Sequence, residues 1–211
     1  HICYNRLRPR FEPYWISTTF ACIEGRGTGA ASDWAERSAR KVTQGWSKPA
    51  WVLQVDIKNF FTSIRRHELC SVLCSRAHEP WLANIVREII HVDLSKGVYF
   101  PGDKRLLKLI PQHKSLWNAP DGLGLLIGNL TSQFGANVCL DPVDQSVVRS
   151  GVVKHYGRYV DDIIVMDKDI ENLRLAYCII KKELSRLGLE LHPNKTRCIP
   201  AKDGFDFCGR Y

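Results

Sequence analysis

Residues Val153 to Met166 have the sequence VKHYGRYVDDIIVM, which gives the clearest indication of the fold. It contains two short runs rich in β-branched and aromatic residues, Val153–Tyr159 and Ile163–Met166. Two such runs with a short break between them predict a β-hairpin. The adjacent carboxylates Asp161 and Asp162 lie at its tip, although an Asp pair in a turn is by itself more often solvated than functional.

A third carboxylate, Asp56, ends the apolar run WVLQVD, which starts at Trp51 and predicts another strand. A last strand is predicted at Phe205–Gly209. Helical periodicity predicts helices over residues 30–44, 66–76, 80–90, 131–149 and 169–187. The order of these elements matches a split βαβ arrangement, in which helices cover one face of an antiparallel sheet, and the fold class is therefore α+β.

Three local features qualify this outline. Residues 93–125 hold most of the turn-forming Gly and Pro residues and are expected to form irregular loops. Pro142 is expected to kink or interrupt the helix over 131–149. Thr28 or Ser32 is expected to cap the helix over 30–44.

Composition restricts the class of protein. The 211 residues include 30 Lys and Arg against 22 Asp and Glu, which favours a polyanionic partner but is also found in ordinary basic proteins. No apolar run approaches the roughly 20 residues of a membrane helix, and no export signal is recognisable, so no membrane association is expected. The eight cysteines include no CxxC pair and are expected to be free thiols in the cytoplasm.

The three aspartates suggest a chemistry. In a split βαβ sheet, Asp56 at a strand end and Asp161 and Asp162 at a hairpin tip can be neighbours. Carboxylates held together repel one another and raise one another's pKa values. Divalent cations remove that repulsion, and Mg²⁺ prefers one or two carboxylates plus substrate phosphates. The sequence therefore predicts a two-metal site for phosphoryl transfer.

Six motifs, in family order, resemble those of reverse transcriptases. Tyr159–Asp162 is similar to the YxDD signature, and Gln54–Phe61 resembles the first aspartate motif. The other four are a block before the palm of prokaryotic members, the motif beside the nascent base pair, the lysine motif and the primer grip, at Ala21–Thr28, Ile127–Phe134, Leu191–Thr196 and Phe205–Gly209. The resemblance implies a polymerase palm with partial fingers.

The resemblance also implies an activity and its ligands. The activity is RNA-directed DNA synthesis, in which a primer 3′-hydroxyl attacks a deoxynucleoside triphosphate. Asp56 and Asp161 would bind two Mg²⁺ ions, or Mn²⁺, with support from Asp162 and the backbone carbonyl of Ile57. The implied partners are an RNA template, a DNA or RNA primer, deoxynucleoside triphosphates and an accessory protein.

Four further residues are candidates for nucleotide binding, and each could instead be a structural or solvent-exposed residue that does not bind the nucleotide. Phe61 matches the sugar gate that selects deoxynucleotides, and Gln133 matches a residue beside the incoming nucleotide or template base. Lys195 is expected near the leaving pyrophosphate. Arg26 lies in a Gly-rich loop before a helix, a place suited to phosphate contact.

The subfamily is suggested by Ser132–Gln133, where group II intron enzymes usually have Ser-Pro. Ser-Gln is similar to the enzymes of diversity-generating retroelements and to phage-defence relatives from bacteria. Two alternatives stay open: a phage-defence polymerase with template-poor or protein-primed synthesis, and a catalytically idle scaffold that binds nucleic acid.

The expected domain organisation follows from the motifs. Residues 1–48 are expected to form part of the fingers, and residues 49–211 the palm, with helices and loops inserted at 66–125. A thumb is expected to be absent, since no thumb-like segment follows Tyr211.

Overall fold

The computed structural model describes residues 1–92, 102–109, 111, 119–126 and 128–209. The α-helices in these residues are α1 Ile2–Phe11, α2 Thr28–Val42, α3 Phe60–Ser63, α4 Arg66–Ser75, α5 Pro80–His91, α6 Leu130–Ser150 and α7 Ile170–Arg186. The strands are β1 Trp51–Val55, β2 His155–Tyr159, β3 Asp162–Asp167 and β4 Arg197–Pro200. Short 3-10 helices cover Glu12–Tyr14, Lys104–Leu109 and Ala201–Asp203.

The four strands form one antiparallel sheet in the order β2-β3-β1-β4. The predicted hairpin is present as β2 and β3, with Tyr159 opposite Asp162. β1 pairs with β3 on one side, where Val55 lies opposite Ile163, and with β4 on the other. The central position of β1 brings its carboxyl end beside the tip of the hairpin.

Alternation along the strands sends apolar side chains to both faces of the sheet. Leu53 and Val165 belong to the larger core, which includes buried residues of α1, α6 and α7. Val52 and Ile164 belong to the smaller core, which includes buried residues of α2. Each fully buried aliphatic side chain contributes roughly 1.5–3 kcal/mol. The α+β palm architecture is confirmed, and α2 covers part of the sheet face opposite α6 and α7.

The edge strand differs from the prediction. Phe205–Gly209 is not a strand, and the edge beside β1 is occupied by β4, which the sequence did not predict. Phe207 is instead buried in the smaller core and belongs to an isolated β-bridge rather than to a strand. The alternating apolar residues therefore indicated correctly that Phe207 is buried. They did not indicate which segment pairs with β1, and that segment is Arg197–Pro200.

Two predictions about helices were wrong, namely the interruption at Pro142 and the side-chain cap of α2. α6 continues through Pro142 without interruption, because Leu140 and Val143 on either side are fully buried and hold the helix in the core. The N-cap of α2 is Gly27, and no side chain caps this helix, so neither Thr28 nor Ser32 has the expected capping role. The described part of 93–125 contains the 3-10 helix Lys104–Leu109, and residues 93–101, 110, 112–118 and 127 lie outside the described residues.

The N-terminal region packs on the sheet domain. Phe134 of α6 has ring contacts with Tyr4, Phe11 and Trp15, at centroid distances of 5.6, 5.7 and 5.7 Å. These contacts dock α1 and the chain after it onto α6, and the boundary between fingers and palm near residue 48 stays a prediction. None of the helices in the described ranges is long and apolar enough to cross a bilayer.

Candidate active site

Two of the predicted carboxylates lie side by side at the ends of the inner strands β1 and β3. Asp56 directly follows Val55, the last residue of β1, and Asp162 directly precedes Ile163 on β3. Since Val55 lies opposite Ile163, the next position in the same register places Asp56 beside Asp162. The antiparallel pairing of β1 with β3 is therefore what brings these two side chains together.

The third carboxylate, Asp161, lies in the turn of the hairpin. Val160 and Asp161 form the two-residue connection between β2 and β3. Val160 has a φ of 54°, a left-handed conformation that is rare for a β-branched residue. Such backbone typically costs about 1–3 kcal/mol and is kept only where the surroundings hold it in place.

The pKa values of Asp161 and Asp162 are both raised. Burial raises the pKa of Asp161 to about 6, and repulsion from Asp162 and then Asp56 adds to the shift. The pKa of Asp162 is raised by desolvation in the cleft and then by repulsion from Asp56, although its side chain is still exposed to solvent. Negative charge therefore acts on Asp161 and Asp162, and additional positive charge would favour the ionised forms of these two groups.

Lys195 supplies one positive charge. Its Nζ lies 2.8 Å from Oδ2 of Asp56, and this hydrogen bond is the main cause of the raised Lys195 pKa. The segment that carries Lys195 is held beside β1, since the backbone N–H of His192 donates to the carbonyl of Asp56 at 2.8 Å and Ile57 pairs with Leu191. Lys195 thus lies at the carboxylates, and its predicted contact with the leaving pyrophosphate remains a prediction.

A cavity of about 380 Å³ opens at this edge of the sheet. Asp56, Asp162 and Lys195 line it together with two groups that the sequence analysis did not single out, Arg197 and Asp206. Arg197 donates to Oε1 of Gln54 at 2.9 Å, so this cation is held at the cavity wall. The cavity is therefore lined by charges of both signs, as expected for a site that receives a charged ligand.

Hard oxygen donors make this edge suitable for Mg²⁺, which binds carboxylates and carbonyls. Within the described ranges, however, no three His, Cys, Asp or Glu side chains are arranged so as to hold a metal ion. The ammonium of Lys195 already lies on Asp56, so a metal ion would have to displace or rearrange that ion pair. The residue types fit a divalent cation, and their final coordination geometry requires movement of side chains.

Ile57 and Phe61 follow Asp56 on the same segment. The Ile57 side chain is buried and has no atom that could bind a metal, so the predicted ligand is its backbone carbonyl. Phe61 lies in helix α3 rather than in a strand, and its half-buried ring packs edge-on against buried Phe60 at a centroid distance of 5.3 Å. Phe61 does not line the carboxylate cavity, so its predicted sugar-gate role remains a prediction.

Gln133 and Arg26 lie outside the lining of that cavity. The Oε1 atom of Gln133 accepts a hydrogen bond from the Cys22 thiol at 2.9 Å, which gives the side chain a protein partner in the block before the palm. Nη1 of Arg26 donates to the carbonyls of Thr19 and Ile16, at 2.7 and 3.2 Å. Arg26 therefore holds its own loop, and the predicted phosphate contact would depend on its other guanidinium nitrogens.

A buried polar cluster that was not predicted from the sequence lies beneath the hairpin. Arg158 and Asp144 form an ion pair with both side chains fully buried, and Nη1 of Arg158 also reaches the carbonyl of Val160. The signal was present in the sequence, since an Arg immediately before Tyr159 occupies a strand position that alternation places in the core with Tyr156. A charge at a core position is the informative exception to the apolar pattern.

The antiparallel sheet, with aspartates at the end of its central strand and at the adjacent hairpin tip, defines a polymerase palm. The sequence matches the family model described as reverse transcriptase (RNA-dependent DNA polymerase) over residues 2–210. The chain therefore belongs to the reverse transcriptase family, whose enzymes are nucleotidyltransferases.

Solved structures of telomerases share the fold. Apo telomerase from Candida tropicalis is 13% identical with a TM-score of 0.62 over 99% of this chain and 37% of its own. Telomerase from Candida albicans, in complex with a fragment of telomeric RNA, is 12% identical with a TM-score of 0.53 over 94% of this chain and 33% of its own. The chain thus spans about a third of the length of these telomerases. A comparison with curated proteins gave no match.

Proposed function

We propose that this chain is the catalytic palm of an RNA-directed DNA polymerase, with Asp56, Asp161 and Asp162 as the metal-binding carboxylates. The observation that carries the proposal is that Asp56 and Asp162 lie side by side at the ends of the paired strands β1 and β3, with Asp161 next to Asp162 in the hairpin turn, in a chain of the reverse transcriptase family. Burial, and then repulsion from Asp162 and Asp56, raises the pKa of Asp161 to about 6, and this supports the proposal because a nearby cation would favour the ionised carboxylate.

The residues would act mainly by positioning and by charge. Asp56, Asp161, Asp162 and the Ile57 carbonyl would hold two divalent cations, which stabilise the attacking primer 3′-oxygen and the leaving pyrophosphate oxygen. Lys195, released from Asp56, would contact the leaving group as a charge or proton donor. The Phe61 ring would exclude a ribose 2′-hydroxyl. An RNA template, a DNA or RNA primer and deoxynucleoside triphosphates are the proposed ligands.

The test is primer extension on a defined RNA template by the full-length protein that contains this chain, in Mg²⁺ and in Mn²⁺. Asp161→Asn should reduce extension by at least about a thousandfold, since losing a ligand for a charged transition state costs on the order of 4 kcal/mol. Asp167→Asn is the matched control, because Asp167 lies at the opposite end of β3 and should leave the rate close to wild type.

Two results would count against the proposal. Extension by Asp161→Asn at a near-normal rate would remove the metal-binding role of that residue. Binding of primer and template by the wild-type protein, without extension in either metal, would favour a nucleic-acid-binding scaffold instead.

For the subfamily, we propose kinship with the bacterial enzymes of diversity-generating retroelements or phage defence. The support is Ser132–Gln133 at the start of α6. Extension of a primer on added RNA would support the retroelement type, whereas DNA synthesis without added template or on a protein primer would support the defence type. A cytoplasmic location is proposed from the eight free cysteines, and an accessory protein from the family resemblance.

A further inference from the structure

The buried pair of Arg158 and Asp144 is unusual in its setting. Both side chains have no exposed surface, and Nη2 of Arg158 lies 2.7 Å from Oδ2 of Asp144. Nε of Arg158 donates to Oδ1 and Oδ2 of the same carboxylate at 2.8 and 3.0 Å. A buried ion pair is often no more stabilising than apolar residues of the same volume, because both charges lose their hydration. Stability alone therefore does not account for this pair.

The remaining guanidinium nitrogen points to a role in the hairpin turn. Nη1 of Arg158 donates to the carbonyl oxygen of Val160 at 2.8 Å and to Oδ1 of Asn137 at 3.1 Å. The carbonyl of Val160 and the N–H of Asp161 belong to one planar peptide unit. Fixing that carbonyl therefore fixes the orientation from which the Asp161 backbone starts.

The turn needs such a restraint. Val160 has a φ of 54°, and a β-branched residue in this region tends to relax unless its surroundings hold it. Arg158 offers a fixed donor for the purpose, since its planar guanidinium is anchored through three bonds to Asp144. The result is a rigid support directly below the first residue of the turn.

Asp144 is itself held from several directions. Tyr156 Oη donates to its Oδ1 at 2.6 Å, and Thr19 Oγ1 donates to its Oδ2 at 3.1 Å. Nδ2 of Asn137 donates to the carbonyl of Ala21 at 2.7 Å. Among the described residues, no side-chain polar atom of this cluster is buried without a partner. The cluster ties α6, β2 and the segment before α2 to the turn.

We propose that Arg158, oriented by Asp144, is a positioning residue for the carboxylates of Asp161 and Asp162. It acts through the Val160 carbonyl and touches neither metal nor substrate. The inference rests on the proposed function, since it concerns the geometry of the proposed metal ligands. It predicts that catalysis depends on the guanidinium donor even when the stability of the fold does not.

The test separates stability from positioning with a double variant in the full-length protein. Each single variant, Asp144→Leu or Arg158→Met, leaves a buried charge without its opposite charge. Each should lower the Tm by roughly ten degrees or more. Combined, they remove both buried charges and should restore part of that loss, while the hydroxyls of Tyr156 and Thr19 still lack their acceptor. The double variant should nevertheless keep a kcat at least about tenfold below wild type, because no donor reaches Val160, and should need more Mg²⁺ for half-maximal rate.

Two further variants keep the test decisive. Arg158→Lys retains a charge for Asp144 but lacks the fork that also reaches Val160, so it should lose kcat at temperatures where circular dichroism shows a folded protein. Leu184→Ala, in the core on α7, should lower the Tm without lowering kcat at those temperatures.

The inference is overturned if kcat returns with Tm in the double variant, or if Arg158→Lys is fully active. It is also overturned if Leu184→Ala loses kcat in step with its Tm, since stability would then explain every loss. Asp161→Asn, measured in parallel, separates the two proposals. An active Asp161→Asn would contradict the proposed function itself, whereas an inactive Asp161→Asn beside an active double variant would contradict only the role of Arg158.

Discussion

Phe61 is the predicted sugar gate, and its role can be tested by replacing the single ring. It follows Asp56 on the same segment and is only half-buried, so part of the ring is available to a ligand. Phe61→Ala should raise incorporation of ribonucleotides relative to deoxynucleotides by about tenfold or more, which corresponds to ~1.4 kcal/mol of lost discrimination. Competition between the two nucleotide types in primer extension measures the ratio.

Phe61→Tyr is the control for that experiment, because it keeps the bulk of the ring and should keep the discrimination. Since Phe61 packs against Phe60, thermal unfolding should be measured on both variants. An unchanged ratio in a folded Phe61→Ala protein would locate the gate elsewhere.

Gln133 combines a predicted role with a partner seen only in the structure. The Cys22 thiol donates to its Oε1 atom, which leaves the amide N–H groups as donors for a base. A single hydrogen bond contributes on the order of 1 kcal/mol, enough to change an error rate several-fold. Gln133→Ala should therefore alter the spectrum of misincorporation more than the overall rate, as determined by sequencing products copied from a defined RNA.

Gln145→Ala provides the matched comparison on the same helix. Its side chain donates to the carbonyl of Tyr14 and to Asp141, away from the carboxylate cavity, and its error spectrum should equal that of wild type. Identical spectra for Gln133→Ala and wild type would leave Gln133 with a structural role only.

At the scale of elements, the contact between α2 and the hairpin depends on one glycine. A Cβ built on Gly157 of β2 would lie 2.4 Å from the indole ring of Trp34 on α2. Gly157→Ala should therefore destabilise the protein by roughly 1–3 kcal/mol, the usual cost of overpacking a core. Denaturant unfolding measures the loss.

The double variant Gly157→Ala/Trp34→Leu tests the cause, because a smaller side chain at position 34 makes room for the added methyl group. Adding Gly157→Ala to Trp34→Leu should therefore destabilise the protein less than adding it to wild type. A loss in the double variant equal to the sum of the two single losses would contradict the proposed clash.

At the scale of the whole molecule, the carboxylate site makes stability depend on pH. The folded pKa of Asp161 is raised to about 6 from its ordinary value of 3.8, so the folded state binds this proton more tightly than the unfolded state. Stability of the metal-free protein should fall as pH rises from about 4 to about 6, by at most about 3 kcal/mol from this group. Unfolding without metal at pH 4.5 and 7.5 measures the change.

Asp161→Asn isolates that contribution, because it removes the titrating group and keeps the shape of the side chain. The variant should be more stable than wild type at pH 7.5 and lose that advantage toward pH 4.5. A stability difference between the two proteins that does not vary with pH would contradict the assignment to Asp161.

Structural elements that depend on residues close together in the sequence could be predicted. The hairpin around Tyr159 and the amphipathic helix α7 were predictable, because alternation and helical spacing are local properties of the chain. The position of Asp56 at a strand end was predictable for the same reason, and it sufficed to expect that the aspartates meet.

Which segments pair, and which charges meet, could be seen only in the three-dimensional fold. Arg197–Pro200, rather than Phe205–Gly209, fills the edge beside β1, because distant segments compete for one row of backbone hydrogen bonds. The burial of Arg158 against Asp144 and the pairing of Lys195 with Asp56 also join residues far apart in sequence. Such pairings exist only after the sheet has formed: strand alternation could place Arg158 in the core, but it could not indicate the partner of that charge.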